Sequence, residues 1–541
     1  MENIKEYAVV AVSSEDADSL HEDLIRQTNI NYIPDRSVDI ADYRPLSPRI
    51  THYALSEEEA IKLQHDPRVF SVEVPPHLNP DVIFKNNTRQ QATFSKLFLT
   101  TADDVNWGLA RCNFNDDPWT AAGNQINYTG SYDYTLTGKG VDVVIQDSGI
   151  DPTHPDFFDD NGVSRVQQID WYAASGIAGS MSANHYLDYD GHGTHVASTV
   201  AGRLMGWARN ARIYSVKSAG LAGSEGGGIA ETNIFDVIRL WHINKQPDPA
   251  TGLKRPTVVN MSWGTYATEN SSNLPASIQW RGGNYLRGTN YSTLNEMQTN
   301  YGWMGFQSGP SNFYYHSFYS PTYQSEVLDM INAGIHVVVA AGNGNVKIDT
   351  AQGLDYNNTW GGYGNAQYHR GGCPGALHAI VVGSIDTGYQ SSLERRSSFS
   401  EQGPGVTVYA PGGYIMGASS SSNAGTNSIA SSGYTNVAYP GYPTFNLMKI
   451  SGTSMASPQV CGVLACMLEA NPSYTPDQAK QWIINNSTKG LLFDTGSGTS
   501  YNTAYSLVGG NNRILFNPFN KSNSGTLTGR AKIFNGALSL K

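Results

Sequence analysis

The 541 residues predict an α/β fold, a doubly wound and mostly parallel sheet preceded by a small α+β unit. Three observations predict it. Near-continuous β-branched runs, VDVVIQ (141–146), ARIYSVK (211–217), TVVNMS (257–262), IHVVVAA (335–341) and AIVVGSI (379–385), alternate with helical stretches, the pattern of strands covered on both faces. Polar or glycine-bearing residues follow those runs: Asp147 after the first, Ser262-Trp263-Gly264 after the third, Gly342-Asn343 after the fourth. They therefore share the rim beyond the carboxyl ends of the strands, where such sheets gather their functional groups. Ahead of these runs, residues 1–77 show a different, mixed pattern of short strands and helices.

In that leading unit residues 7–12 alternate as a strand and residues 15–26 suit a helix. In THYALSEEEAIKLQHDPRVFSVEVPP, Ser56 and Glu59 form a capping box, Ile61 and Leu63 follow on a helix, and Val69, Val72 and Val74 suit a final strand. Residues 78–104, with LNPDVIFKNNTRQQATFSK at their centre, are polar and predict a linker accessible to processing. The α/β domain is expected over 105–518, with a C-terminal tail over 519–541. Two stretches interrupt it: 267–322, rich in Tyr, Asn, Ser, Gly and Trp, and 413–445, centred on SSSSNAGTNSIASSG. Both are expected to be surface insertions.

Thirty-five basic against forty-six acidic residues leave a net charge of −11, which disfavours nucleic acid or an anionic membrane as the partner. The opening MENIKEYAVVAVSSED carries charges in place of an apolar stretch, and no run approaches the roughly 18 apolar residues of a membrane span. The expectation is a soluble chain that is intracellular, exported without a leader or packaged in a particle. Four cysteines are too few for a disulfide framework; Cys461 and Cys466, five apart on one helix, point different ways and are expected to be buried thiols. No paired Cys or Cys/His spacing suggests a metal.

Three motifs carry chemistry. A serine hydroxyl is a weak nucleophile near neutral pH and needs a base, and the base needs a carboxylate to orient it. GTSMASP (452–458) puts Ser454 at the start of a helix running on through QVCGVLACMLEA, beside free N–H groups and the positive end of the helix dipole. Small neighbours, Gly452 and Ala456, permit close approach, although capping is the ordinary role of such a serine. GHGTHVAS (191–198) places His192 at another helix start, with His195 one turn on; as a metal pair they lack a nearby third ligand, and His195 is expected to pack inside. VVIQDSGID (143–151) ends a strand in Asp147, a position where a lone Asp usually forms a turn.

DSGI, HGTH and GTSMASP, in the order Asp, His, Ser, resemble the signature of the subtilases, an order that separates them from other serine-protease designs. VNWGLARC (105–112), VVNMSWG (258–264), AAGN (340–343) and SSFSEQGPGVTVYAPGG (397–413) resemble further stretches of that family, and NNRILFN (511–517) resembles the end of its proteinase K branch. Residues 192–217 are short, as in that branch, and lack the calcium-binding loop of subtilisin. LSEEE and DPRVFSVE resemble the inhibitor-type propeptide, a ferredoxin-like domain.

This resemblance implies a subtilisin-like serine endopeptidase made as a precursor. Ser454 would attack the scissile carbonyl, His192 would move the proton and Asp147 would orient the imidazole. The Asn343 amide and the Ser454 N–H would form the oxyanion hole. Gly223, Ser224 and Gly226 on one side and Ser262, Trp263 and Gly264 on the other would bind an extended peptide as an added strand. Trp263 stands where many members have Leu and would either narrow a subsite or pack inside. Protein or peptide substrates and the chain's own N-terminal segment are the expected partners, and no cofactor is required. Asp156, in DPTHPDF, matches a calcium-ligand position, but the missing loop removes its partners and no metal is assigned. The long insertions leave a second expectation, an assembly component, for instance of a virus particle, keeping a protease domain for one self-directed cut or for docking.

Overall fold

Each of the five apolar runs becomes a strand, and the strands lie side by side in one sheet. The computed structural model describes residues 4–26, 36–42, 49–74, 90–96, 107–114, 128–170, 173–174, 186–218, 231–249, 251–270, 274–303, 306–307, 313–361, 366–386, 394–421, 437–494, 505–520, 532–534 and 537–539. The chain divides into two units, Met1–Asn87 and Thr88–Lys541.

In the first unit β1 (Lys5–Ala11), α1 (Ser14–Arg26), β2 (Ile40–Asp42), β3 (Ile50–Leu55), α2 (Glu57–Leu63) and β4 (Val69–Glu73) follow in that order. The antiparallel sheet runs β2-β3-β1-β4, a ferredoxin-like βαββαβ arrangement. The Ser56 hydroxyl accepts from the Glu59 amide at 3.2 Å, and the Glu59 carboxylate accepts from the Ser56 amide at 2.8 Å. This capping box starts α2 and turns Ala60 and Leu63 toward a core that also holds Val9, Leu20, Leu24 and Leu55, leaving Ile61 outside.

The second unit is built on β5 (Asp142–Asp147), β6 (Val166–Gln168), α3 (His192–Ala201), β7 (Arg212–Lys217), α4 (Glu231–Asn244), β8 (Thr257–Met261), β9 (Tyr266–Asn270), β10 (Phe313–Ser317), α5 (Pro321–Asn332), β11 (His336–Ala340), β12 (Ile380–Ile385), β13 (Val408–Pro411), β14 (Ile415–Ser419), β15 (Tyr442–Ile450), α6 (Thr453–Ala470), β16 (Thr488–Lys489) and β17 (Arg513–Ile514). The nine-stranded sheet runs β16-β17-β13-β12-β11-β8-β5-β7-β6 and is parallel except for the pair β16/β17. Central strands are buried along their whole length, as near-continuous Val and Ile runs require. From β5 the chain passes first to β6 and β7 on one side and then to β8 on the other. The strand order therefore reverses about β5, and the crevice this opens lies beyond the carboxyl ends of the central strands. α6 lies across β8, β11, β12 and β13, and its residues 453–468 are all buried. An almost uniformly apolar helix belongs in such a central layer.

Three expectations need correction. Residues 90–96, taken as part of a linker, form a strand paired antiparallel with Tyr128–Tyr134; its partner lies some forty residues further along, where no local pattern shows it. Residues 267–322 are more than a surface insertion. β9 and β10 pair antiparallel, and Leu274, Ile278, Tyr291, Met297 and Trp303 pack with Trp360 and Tyr368 into a separate core. The aromatic richness that marked this stretch is what fills that core. In 413–445, β14 is wholly buried, pairs with β15 and covers α3, while residues 422–436, with most of the serine-rich run, lie outside the described residues.

No helix among the described residues is long and apolar enough to cross a membrane. Met297 is fully buried in the core of the 267–322 insertion. Met297→Ala should cost about 2–5 kcal/mol, read as a lowered denaturant midpoint and faster amide exchange in Ser277–Trp280, the strand packed beside it.

Candidate active site

β5 ends in Asp147, which is buried, and its carboxylate reaches the first residue of α3. Asp147 Oδ1 accepts from the Ser148 amide at 2.8 Å and lies 2.7 Å from His192 Nδ1. Oδ2 is buried with no partner among the described residues. The two segments are clamped by Asp188, fully buried, which accepts from the Ser148 hydroxyl (2.9 Å), the Gly191 amide (2.7 Å), the Thr194 amide (2.9 Å) and the Thr194 hydroxyl (2.5 Å). The Ser148 hydroxyl also accepts from the Gly193 amide at 2.8 Å. Strand end and helix start are thereby set in one geometry.

Desolvation works against a charged His192. The charge and hydrogen bond of Asp147, helped by Asp190 and Asp188, outweigh it and lift the imidazole to about 9. His195 is completely buried, unlike the partly exposed His192, and has no acid partner among the described residues; desolvation brings it down to about 4. Its Nε2 lies 3.0 Å from the Ile415 carbonyl and 3.2 Å from that of Met448, so it pins β14 and β15 to α3 as a neutral packing residue. Asp156 is also engaged by protein donors: the Leu204 amide (2.7 Å), the Ser198 hydroxyl (2.7 Å) and the Tyr439 hydroxyl (3.1 Å).

Ser454 sits in the first turn of α6. Pro458, four residues on, has no N–H to give the Ser454 carbonyl, and the Ser262 hydroxyl donates to it instead at 2.9 Å. That hydroxyl also accepts from Asn260 Nδ2 and lies 2.9 Å from Ser457 Oγ, joining β8 to the helix start. The Ser454 hydroxyl donates to the Ser262 carbonyl at 3.1 Å and forms no hydrogen bond to the His192 ring. α3 and α6 cross where a Cβ on Gly462 would come within 2.8 Å of the Val200 carbonyl oxygen. That crossing lies eight residues beyond His192 (192 to 200) and eight beyond Ser454 (454 to 462), about 12 Å of helix in each case. Both helix starts therefore lie equally far from the crossing.

Asn343 follows β11. Its Oδ1 accepts from the Thr453 amide and the Thr453 hydroxyl, both at 2.9 Å, so its Nδ2 is left as the outward donor, 3.6 Å from where a Cβ on Gly452 would stand. The Gly342 amide donates to Thr453 Oγ1 at 3.1 Å. Gly342 has φ +123°, and a Cβ there would lie 2.5 Å from Glu401 Oε1; both facts demand glycine. A cavity of about 250 Å³ opens here, bounded among others by Ser262, Gly264, Tyr266, Asn343 and Ser454. Trp263 also borders it, but the indole stacks on Phe235 (6.1 Å) and meets Tyr323 edge-on (5.9 Å), held between α4 and α5. Gly223, Ser224 and Gly226 lie outside the described residues.

Asp147 and His192 are thus bonded, and Ser454, Asn343, Ser262, Trp263 and Gly264 share one cavity. Asp188, Thr194, Thr453, Tyr266 and Ser317 were not foreseen from the sequence. Thr453, beside the serine in GTSMASP, and Thr194, inside HGTH, carried a signal; the others are ordinary polar residues until the fold closes them on their partners.

A model of the "Subtilase family" matches residues 138–504, more than half of the chain. An alkaline serine exoprotease A of Vibrio alginolyticus is 26% identical over 456 residues, 84% of this chain and 58% of its own length. An extracellular serine proteinase of Thermus sp. (strain Rt41A) is 25% identical over 440 residues, 81% of this chain and 71% of its own. A subtilisin-like serine protease of Aspergillus niger is 25% identical over 419 residues, covering 76% and 57%. The alignment thus spans less than two thirds of the Vibrio and Aspergillus proteins. A solved cold adapted subtilisin-like serine proteinase aligns with 76% of this chain and 97% of its own, at 21% identity and a TM-score of 0.44. Asp147, His192, Asn343 and Ser454 all fall within the matched residues, and the chain belongs to the subtilase family.

Proposed function

We propose that the chain is a serine endopeptidase that hydrolyses peptide bonds through an acyl-enzyme on Ser454 and cuts its own N-terminal segment. The observation that carries this reading is the 2.7 Å contact of His192 with Asp147 at the reversal point of the sheet, on the rim that also bears Ser454. Family membership supports it.

A peptide laid along 262–264 as an added strand competes for the Ser262 carbonyl. The Ser454 hydroxyl, released from that carbonyl, turns to His192 Nε2; catalytic contacts are often incomplete until substrate is bound. Its oxygen attacks the scissile carbonyl carbon while its proton passes to Nε2. Asp147 holds Nδ1–H and stabilises the imidazolium. Negative charge grows on the carbonyl oxygen, where Asn343 Nδ2 and the Ser454 amide, one of those a helix start leaves free, serve as donors. Nε2 then gives its proton to the departing amine as the C–N bond breaks. Water repeats the sequence on the ester, and Ser454 is regenerated.

Three outcomes follow from these roles. Ser454→Ala should lower turnover by about 10⁶-fold and stay full length on incubation while the wild-type chain shortens, as mass spectrometry would record; equal shortening of both would reject self-processing. Asn343→Ala should lose about 100- to 1000-fold in kcat with KM little altered, since its donor acts on charge that exists only in the transition state. His192 must be neutral to accept a proton, and its folded value near 9 means that kcat/KM falls as pH drops through that region. Asp147→Asn should move this acidic limb down toward that of free imidazole, about 6.5; a wild-type limb already at 6.5 would contradict the coupling.

A further inference from the structure

One buried acid is unused by this chemistry. Glu401 is fully buried; one carboxylate oxygen takes the Ser317 hydroxyl, and the other has no partner among the described residues. No basic side chain pairs with it among the described residues. Its neighbours are the walls of the cavity beside Ser454. Ser317 and Gly342 line that cavity, and the carboxyl stands where a Gly342 side chain would be. Tyr266 and Cys373 line it too, and both feel the charge of Glu401, which adds to desolvation in keeping the phenol and the thiol protonated.

We propose that Glu401, acting through Ser317, makes the Ser317 wall of this cavity a receptor for a positively charged side chain, so that the enzyme cuts after lysine or arginine. This rests on reading the cavity as the pocket for the residue before the scissile bond. Ser317 gives its proton to Glu401 and so turns lone pairs toward the cavity, an acceptor backed by an anion. The hydroxyl comes from the 267–322 insertion: Ser317 ends β10 and stands opposite Tyr266 on β9. The insertion thereby completes the pocket.

A carboxyl buried without a counter-charge resists ionisation, and desolvation lifts Glu401 to about 8 despite the Ser317 bond. An arriving ammonium or guanidinium supplies the missing charge, and the carboxyl proton leaves to solvent. A neutral side chain gains nothing from the carboxyl in either state; an acidic one is repelled once the carboxyl is ionised. The titratable groups facing Glu401, Tyr266 and Cys373, are neutral across this range, so preference for the cation should grow as pH rises through about 8.

The test uses the full chain and peptides identical except for Lys, Arg, Met or Glu before the cut, from pH 7 to 9.5. Expected at pH 9 is kcat/KM for Lys or Arg at least about tenfold above Met, with the ratio shrinking below pH 8. Glu401→Gln should cut that ratio about tenfold or more and remove its pH dependence; Ser317→Ala, a smaller change to the same contact, should lower it too. Circular dichroism reports whether each variant is folded. A wild-type preference for Met over Lys at pH 9, or an unaltered ratio in folded Glu401→Gln, would overturn the proposal. Binding of the same peptides to Ser454→Ala, read by fluorescence anisotropy, gives the ranking without chemistry. Absent turnover with a Lys preference in binding counts against the protease reading and for the pocket; absent preference in both counts against the pocket.

Discussion

A helix buried in the middle of a protein must satisfy the polar groups at its amino end, because an unpaired amide or carbonyl away from water costs as much as a lost hydrogen bond. α6 meets this constraint at its own first turn. Asn343 takes the Thr453 amide, Thr453 takes the Gly342 amide, and Ser262 takes the carbonyl that Pro458 leaves empty. These partners arrive from the ends of β11 and β8. What closes the helix therefore also gathers Ser454, Asn343 and the 262–264 segment around one cavity.

The histidine side obeys the same logic with charge added. Asp188 draws the segment after β5 onto the start of α3 through four donors, and that contact delivers Asp147 to His192. Burial then acts on neighbouring groups with opposite results. His192 is lifted because acids surround it, His195 is lowered because none does, and Glu401 is lifted because no cation answers it. Ionisation here is a property of company more than of residue type.

The insertions are part of the working fold. Residues 267–322 bring their own aromatic core and anchor through the β9/β10 pair, whose paired residues Tyr266 and Ser317 reach the cavity. β14 covers α3, and the Ile415 and Met448 carbonyls of β14 and β15 hold His195. Both stretches looked like decoration in the sequence because neither follows the strand-helix alternation of the sheet. Their contacts are to residues far along the chain, and side-chain period alone does not reveal those.

By itself the sequence determined the five apolar strands of the sheet and the capped helix of the first unit, and singled out Asp147, His192, Asn343 and Ser454 as candidates, because runs of Val and Ile, a Ser-x-x-Glu box and short motifs are local properties of neighbouring residues. Tertiary structure alone decided that residues 90–96 are a strand, that the Trp263 indole packs on Phe235 and Tyr323 at the cavity's edge, that Asp188 clamps the segments carrying Asp147 and His192 and that Glu401 stands behind Gly342. Each of these depends on a partner distant in the chain, and burial, which gives a polar side chain its energy and its charge, exists only once those partners have met.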